Sequence, residues 1–139
     1  LINNLKDKSA YRKFLELIQN QGGDITYIEN IEKFEKAKFI EPIYSRKNGY
    51  IYEIDAKKVG KLACMLGAGR VKKEDEIDNA VGIVLKKKVA EKVNENDILA
   101  FIHANSKEKL EEAKKELQEI IKISENSVEK LETIIEVIN

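Results

Sequence analysis

The sequence predicts an α+β domain, and three patterns carry that expectation. Segments of helical periodicity alternate with short β-branched and aromatic runs. The breaks between them are made by Gly and Asn far more than by Pro. The composition is that of a folded chain, 42% hydrophobic and 36% charged, with 7 Gly and 1 Pro in 139 residues. At this length folding buries roughly two-thirds of the surface exposed by the unfolded chain, enough for one real core.

The first element is a helix over 9–21, where Tyr11, Phe14, Leu15 and Ile18 recur at three- and four-residue spacing before Gly22-Gly23 supplies a left-handed stop. Residues 37–54 hold two strands, AKFIEPIYS and GYIYEI. Asn48-Gly49 between them is a turn signal that suggests a hairpin, and Pro42 suits the first strand to a sheet edge or a bulge. Asp55 is placed to cap the next helix, whose buried stripe is Val59, Leu62, Ala63 and Leu66 and which Gly67 ends. GIVLKKKV (82–89) and ILAFIHA (98–104) read as strands joined through AEKVNEND, in which Asn96 is suited to a left-handed backbone angle. Asn105 with Glu108 forms a capping-box signature, and Leu110, Ala113, Leu117, Ile120 and Ile121 mark the helix that follows. EIIKIS (119–124) fits a helix end or a strand equally, and periodicity does not assign TIIEVI (133–138).

Lys plus Arg and Asp plus Glu number 25 each, so no net field points to nucleic acid or to an anionic membrane. One cysteine, Cys64, excludes an internal disulfide, and no apolar run approaches the roughly 18 residues of a membrane span. The expectation is a cytoplasmic, soluble chain. Its start at Leu1, in a polar segment without a signal-peptide core, suggests a piece of something longer.

The stretch LGAGRVKKEDEIDNAVG (66–82) is the most suggestive for chemistry. A phosphate cradle follows a strand and opens a helix, so that backbone N–H groups and the helix N-terminus face the anion; here the glycines leave a helix. Gly67-Ala68-Gly69 also lacks the third glycine of a dinucleotide fingerprint and the Gly-Lys-Ser/Thr ending of a P-loop, so a helix C-cap followed by a structured loop is the better reading. Arg70 has the fork to bind a carboxylate or phosphate, or serves as an ordinary loop arginine. Asp75 and Asp78 are too few for a metal site or a catalytic pair. His103, the sole histidine, has no partner in sequence and reads as structural, and Cys64 beside Met65 reads as a small buried hydrophobe. Lys86-Lys87-Lys88 sit within a predicted strand, whereas a biotinyl or lipoyl lysine must project from a hairpin tip. These residues thus give no catalytic, cofactor-binding or metal-ligating set.

FLELIQNQGGD (14–24), the segment from Gly49 to Val93 and ILAFIHAN (98–105) resemble, in that order, the C-terminal region of the pyrimidine-nucleoside and thymidine phosphorylases. The most specific part is Gly67-Ala68-Gly69-Arg70, followed by Lys73-Glu74-Asp75, Ile77-Asp78 and Ala80-Val81-Gly82. The Glu-Asp-Glu-Ile-Asp wording is closer to the broad-specificity pyrimidine enzymes. Ala90 and Asn96 depart from the pattern, standing where the family usually has turn glycines, and the tail from Ser127 lacks the family's prolines.

The resemblance implies a C-terminal α/β-hammerhead, related to the barrel-sandwich of biotinyl and lipoyl carriers, with flanking helices. It implies a homodimeric parent enzyme that uses phosphate to cleave uridine, thymidine or deoxyuridine into base and pentose 1-phosphate. The family's phosphate segment, its base-binding residues and the potassium ligands of some members lie upstream of this region, so no catalytic residue is carried over. The expected organisation is a helix of the preceding α/β domain (1–24), a linker (25–36), the hammerhead (37–124) and a tail (125–139). Gly67, Gly69, Arg70, Asp75, Asp78 and Gly82 are expected to form a structural or domain-closure loop. The rivals are a stand-alone barrel-sandwich carrier or adaptor and the related nucleoside-monophosphate phosphorylase architecture.

Overall fold

The computed structural model describes residues 1–70 and 72–130, and the TIIEVI run lies outside these. The chain divides into two compact units, Leu1–Glu35 and Lys36–Asn139. In the first, α1 (Ile2–Lys6) and α2 (Ser9–Asn20) are followed by α3 (Thr26–Glu29) and a 3-10 turn, Ile31–Lys33. The Asp7 carboxylate accepts from Ser9 N–H at 2.8 Å and that of Asp24 from Thr26 N–H at 2.8 Å, so two helix starts have side-chain acceptors for orphan donors. The helix anticipated over 9–21 is α2, and Gly22 beyond it has φ +79°.

The second unit is an α+β domain with two antiparallel sheets. Its strands are β1 (Phe39–Tyr44), β2 (Gly49–Ile54), β3 (Gly82–Leu85), β4 (Lys92–Val93), β5 (Ile98–Ala104) and β6 (Ile121–Ser124). One sheet has the order β1-β5-β3 and the other β4-β2-β6. Among the described residues two longer helices, α4 (Ala56–Leu66) and α5 (Lys107–Ile120), accompany these strands. Pro42 therefore lies on an edge strand, where a missing N–H costs no ladder bond on the open side. The EIIKIS ambiguity resolves inside the segment, since the helix ends at Ile120 and the strand begins at Ile121.

The hairpin expected across Asn48-Gly49 does not form, because β1 and β2 belong to different sheets. The connector instead crosses between the sheets beside the β4–β5 turn, which crosses back. Ser45 N–H donates to Asp97 O at 2.8 Å, Asn96 N–H to Ser45 O at 2.9 Å and Glu95 N–H to Asn48 Oδ1 at 2.8 Å. Asn48 is thus used as an acceptor for a distant turn, which its sequence context could not reveal.

One core serves both sheets. Ile43, Ala100, Ile102 and Ala104 from the first sheet meet Ile51, Val93 and Ile121 from the second, with Leu62 and Leu66 of α4 and Leu110, Ala113, Leu117 and Ile120 of α5. The α5 residues fall at three- and four-residue intervals, which places them on one face of the helix. Leu117, Ala113 and Ile51 are wholly buried, so the apolar stripe read from sequence is the seam on which the sheets close. Among the described residues no helix is long and apolar enough to cross a membrane.

Candidate functional site

The α4–β3 loop begins where the helix must stop. Gly67 caps α4 with φ +118°, a left-handed angle that L side chains rarely adopt, and its N–H closes on Ala63 O and Cys64 O. Gly69 then passes against the helix it has just left: a Cβ there would lie 2.6 Å from Cys64 Sγ. The first glycine is thus required by backbone angle and the second by close approach. Cys64 itself is half-buried, less enclosed than a core hydrophobe.

Past this point the loop is organised by its aspartates. Lys72 N–H donates to Asp75 Oδ2 at 2.8 Å and Asp75 N–H to Lys72 O at 3.1 Å, which closes a tight local turn. Asp78 holds three positions together. Its N–H donates to Gly67 O at 3.0 Å, its Oδ1 accepts from Ala80 N–H at 3.0 Å, and its Oδ2 accepts from Asn105 Nδ2 at 2.7 Å. Gly82 opens β3 opposite His103 of β5. Arg70 is exposed and makes no hydrogen bond or ion pair among the described residues, so the loop's tether to its own domain runs through Asp78.

Asn105 differs from its expected role. The N-cap of α5 is Ser106, whose hydroxyl accepts from Lys109 N–H at 3.4 Å. Freed from capping, Asn105 accepts from Lys38 N–H at 2.8 Å while donating to Asp78. The position of Asn105 between β5 and α5 was legible in sequence, but its two partners, 67 and 27 residues away, were not.

The remaining candidates are dispersed. His103 lies within β5, half-buried, across from Ile40 and Gly82. The lysine run lies beyond β3 rather than inside it, as β3 ends at Leu85. Lys87 Nζ reaches Asp97 Oδ2 at 3.4 Å, and Lys88 N–H donates to Glu91 Oε2 at 3.2 Å. The Asn94 N–H and, to a smaller degree, Lys87 hold the Asp97 carboxyl below its ordinary value against the opposing effect of burial. A hollow of about 700 Å³ runs between β1 and α5, lined by Glu41, Tyr44, Arg46, Glu111 and Lys114, with no residue of the α4–β3 loop. Among the described residues no group of three or more His, Cys, Asp or Glu side chains is placed to hold a metal ion. What the described residues build here is a loop tied back to its own domain through Asp78.

Residues 50–124 match the pyrimidine nucleoside phosphorylase C-terminal domain. The pyrimidine-nucleoside phosphorylases of Staphylococcus aureus strains USA300 and NCTC 8325 are each 40% identical to the chain over 128 residues, which is 92% of this chain and 29% of theirs. That of the bovine strain RF122 has the same identity and coverage. The chain belongs to the pyrimidine nucleoside phosphorylase C-terminal domain family, and it spans less than a third of the length of these relatives.

Proposed function

We propose that this chain is the C-terminal portion of a parent enzyme that cleaves pyrimidine nucleosides with phosphate, and that the portion itself orders and positions the parent rather than performing the chemistry. The observation that carries this is the match of residues 50–124 to the pyrimidine nucleoside phosphorylase C-terminal domain, together with 40% identity to pyrimidine-nucleoside phosphorylases over 128 residues.

In this reading the substrates are uridine, thymidine or deoxyuridine. Phosphate attacks the anomeric carbon as the base leaves, and both reactants are bound by upstream domains. The parent is a cytoplasmic homodimer. Its potassium, where it uses one, is held upstream as well, as the family resemblance implies. The α/β-hammerhead is assigned to 37–124, with 1–24 contributed to the preceding domain, 25–36 a linker and 125–139 a tail. A carrier function is disfavoured by the lysine run, because Lys87 is engaged by Asp97.

The α4–β3 loop, with Gly67, Gly69, Arg70, Asp75, Asp78 and Gly82, is proposed to support closure of the parent's domains. The exposed Arg70, which has no hydrogen bond or ion pair among the described residues, is available to a group outside this domain. The test is a uracil-release assay with uridine and phosphate. The purified chain is expected to be inert and the parent polypeptide active; phosphate-dependent release by the chain alone would overturn the assignment. In the parent, Arg70→Ala leaving both stability and phosphorolysis unchanged would remove Arg70 from closure.

A further inference from the structure

The Lys38, Asn105 and Asp78 contacts form a continuous line from the segment that opens the second unit to the α4–β3 loop. Lys38 lies three positions after Glu35, where the first unit ends. Asn105 sits at the β5–α5 junction, and Asp78 gathers the loop back onto Gly67. The chemistry of the middle residue is specific. A backbone N–H only donates and a carboxylate only accepts, so the residue between them must present an acceptor to one and a donor to the other. A carboxamide does both. The same requirement fixes its orientation, with Oδ1 toward Lys38 and Nδ2 toward Asp78. Aspartate at 105 would meet Asp78 with a second acceptor, and serine is too short to span both.

We propose that this line is a conformational latch: the ordered state of the α4–β3 loop is transmitted through the Asn105 carboxamide to the Lys38 backbone, where the chain passes into the second unit. When Asp78 holds Nδ2, the carboxamide plane is fixed and Oδ1 stays aimed at Lys38 N–H. When the loop opens, that restraint is lost and the Lys38 amide is released, although its acceptor, Asn105 Oδ1, lies outside the loop. The latch rests on the closure role proposed above for its purpose only. The coupling belongs to this chain and stands or falls without the parent's activity.

Amide hydrogen exchange on the whole chain, followed by NMR, tests it. Asp78→Ala is expected to raise exchange at Lys38 by about tenfold, the equivalent of one net hydrogen bond, together with Ala80, while the Ile102 amide in the central strand is unchanged. Arg70→Ala is expected to leave Lys38 as it was. Should Asp78→Ala unfold the domain, Asp78→Asn serves. It retains one acceptor oxygen for the two donors that Asp78 now satisfies, so exchange at Lys38 should rise to an intermediate level with Ile102 still protected. Faster exchange at Ala80 with wild-type exchange at Lys38, in whichever variant folds, would overturn the latch. Loss of phosphorolysis in the parent would bear on the proposed function and leave this result intact.

Discussion

Lys114 Nζ lies 2.7 Å from Glu41 Oε2, joining the middle of α5 to edge strand β1. The contact crosses 73 positions and sits over the core that Leu117 and Ile43 form beneath it. Both side chains are about one-third to two-fifths exposed, at 33% and 42%, so solvent screens the pair and its contribution is modest. A double-mutant cycle with Glu41→Gln and Lys114→Met, read by urea denaturation, should give a coupling of about 0.2–1 kcal/mol. The hydrogen bond to Glu41 raises the Lys114 ammonium above its ordinary value of 10.5, against burial, with Glu111 adding to it. A raised value means that the stabilisation is present below the unfolded value and lost as pH climbs through the folded one. On the alkaline side, the advantage of wild type over Lys114→Met should therefore hold up to pH 10.5 and shrink above it.

Ala90 and Asn96, which the family resemblance places at turn-glycine positions, have φ of +70° and +68°. For alanine this angle costs about 1–2 kcal/mol, whereas glycine costs roughly 0.4–1 kcal/mol through the freedom it adds to the unfolded chain. Ala90→Gly should thus stabilise the domain by about 0.5–1 kcal/mol, seen as a higher thermal midpoint. Asn96→Gly should change it by less than about 0.5 kcal/mol, because Asn tolerates the left-handed region. A lower midpoint for Ala90→Gly would show that its methyl contributes more than the strain.

These positions mark the division between what sequence could and could not yield. Local rules succeeded wherever the controlling contacts were local. Asp55 caps α4 through Lys58 N–H at 3.0 Å, Gly67 ends that helix, Asn96 turns left-handed, and Leu110 to Ile120 face the core. They failed where a residue answered to a distant one. Asn48 serves the 94–97 turn and not a hairpin, and Asn105 leaves the cap to Ser106 because Lys38 and Asp78 claim it. The candidate loop was legible as a glycine-bounded segment leaving a helix. The internal anchor was not, because the contact that forms is a carboxamide on a carboxylate 27 positions away.

The turn that brings the chain back from the second sheet depends on Asp97. Its Oδ2 accepts from Asn94 N–H at 3.0 Å and from Lys87 Nζ at 3.4 Å, and its carboxyl is held below the ordinary 3.8. A depressed value gives a contribution that is complete above the unfolded value and lost as pH falls through the folded one. Wild type should exceed Asp97→Asn in thermal midpoint at neutral pH, with the gap closing below pH 3.8. A gap that persisted unchanged into stronger acid would assign the difference to shape instead of charge.

The approach of Gly69 to Cys64 makes a prediction that separates steric from conformational need. Gly69 is not in the left-handed region, so alanine there meets no backbone penalty; the obstacle is the thiol, 2.6 Å from the position a Cβ would take. Moving Cys64 Sγ or the loop should make Gly69→Ala cost about 1–3 kcal/mol, the usual range for inserting a methyl into a filled space. Cys64→Ala removes the sulfur and leaves its own Cβ at 3.7 Å from the new methyl, an ordinary contact. In the Cys64→Ala background, Gly69→Ala should be near neutral or slightly stabilising, since alanine restricts the unfolded chain. Denaturant titration of the four proteins should therefore show strong non-additivity. Equal costs in both backgrounds would mean that the loop needs glycine at 69 for a reason other than the helix beneath it.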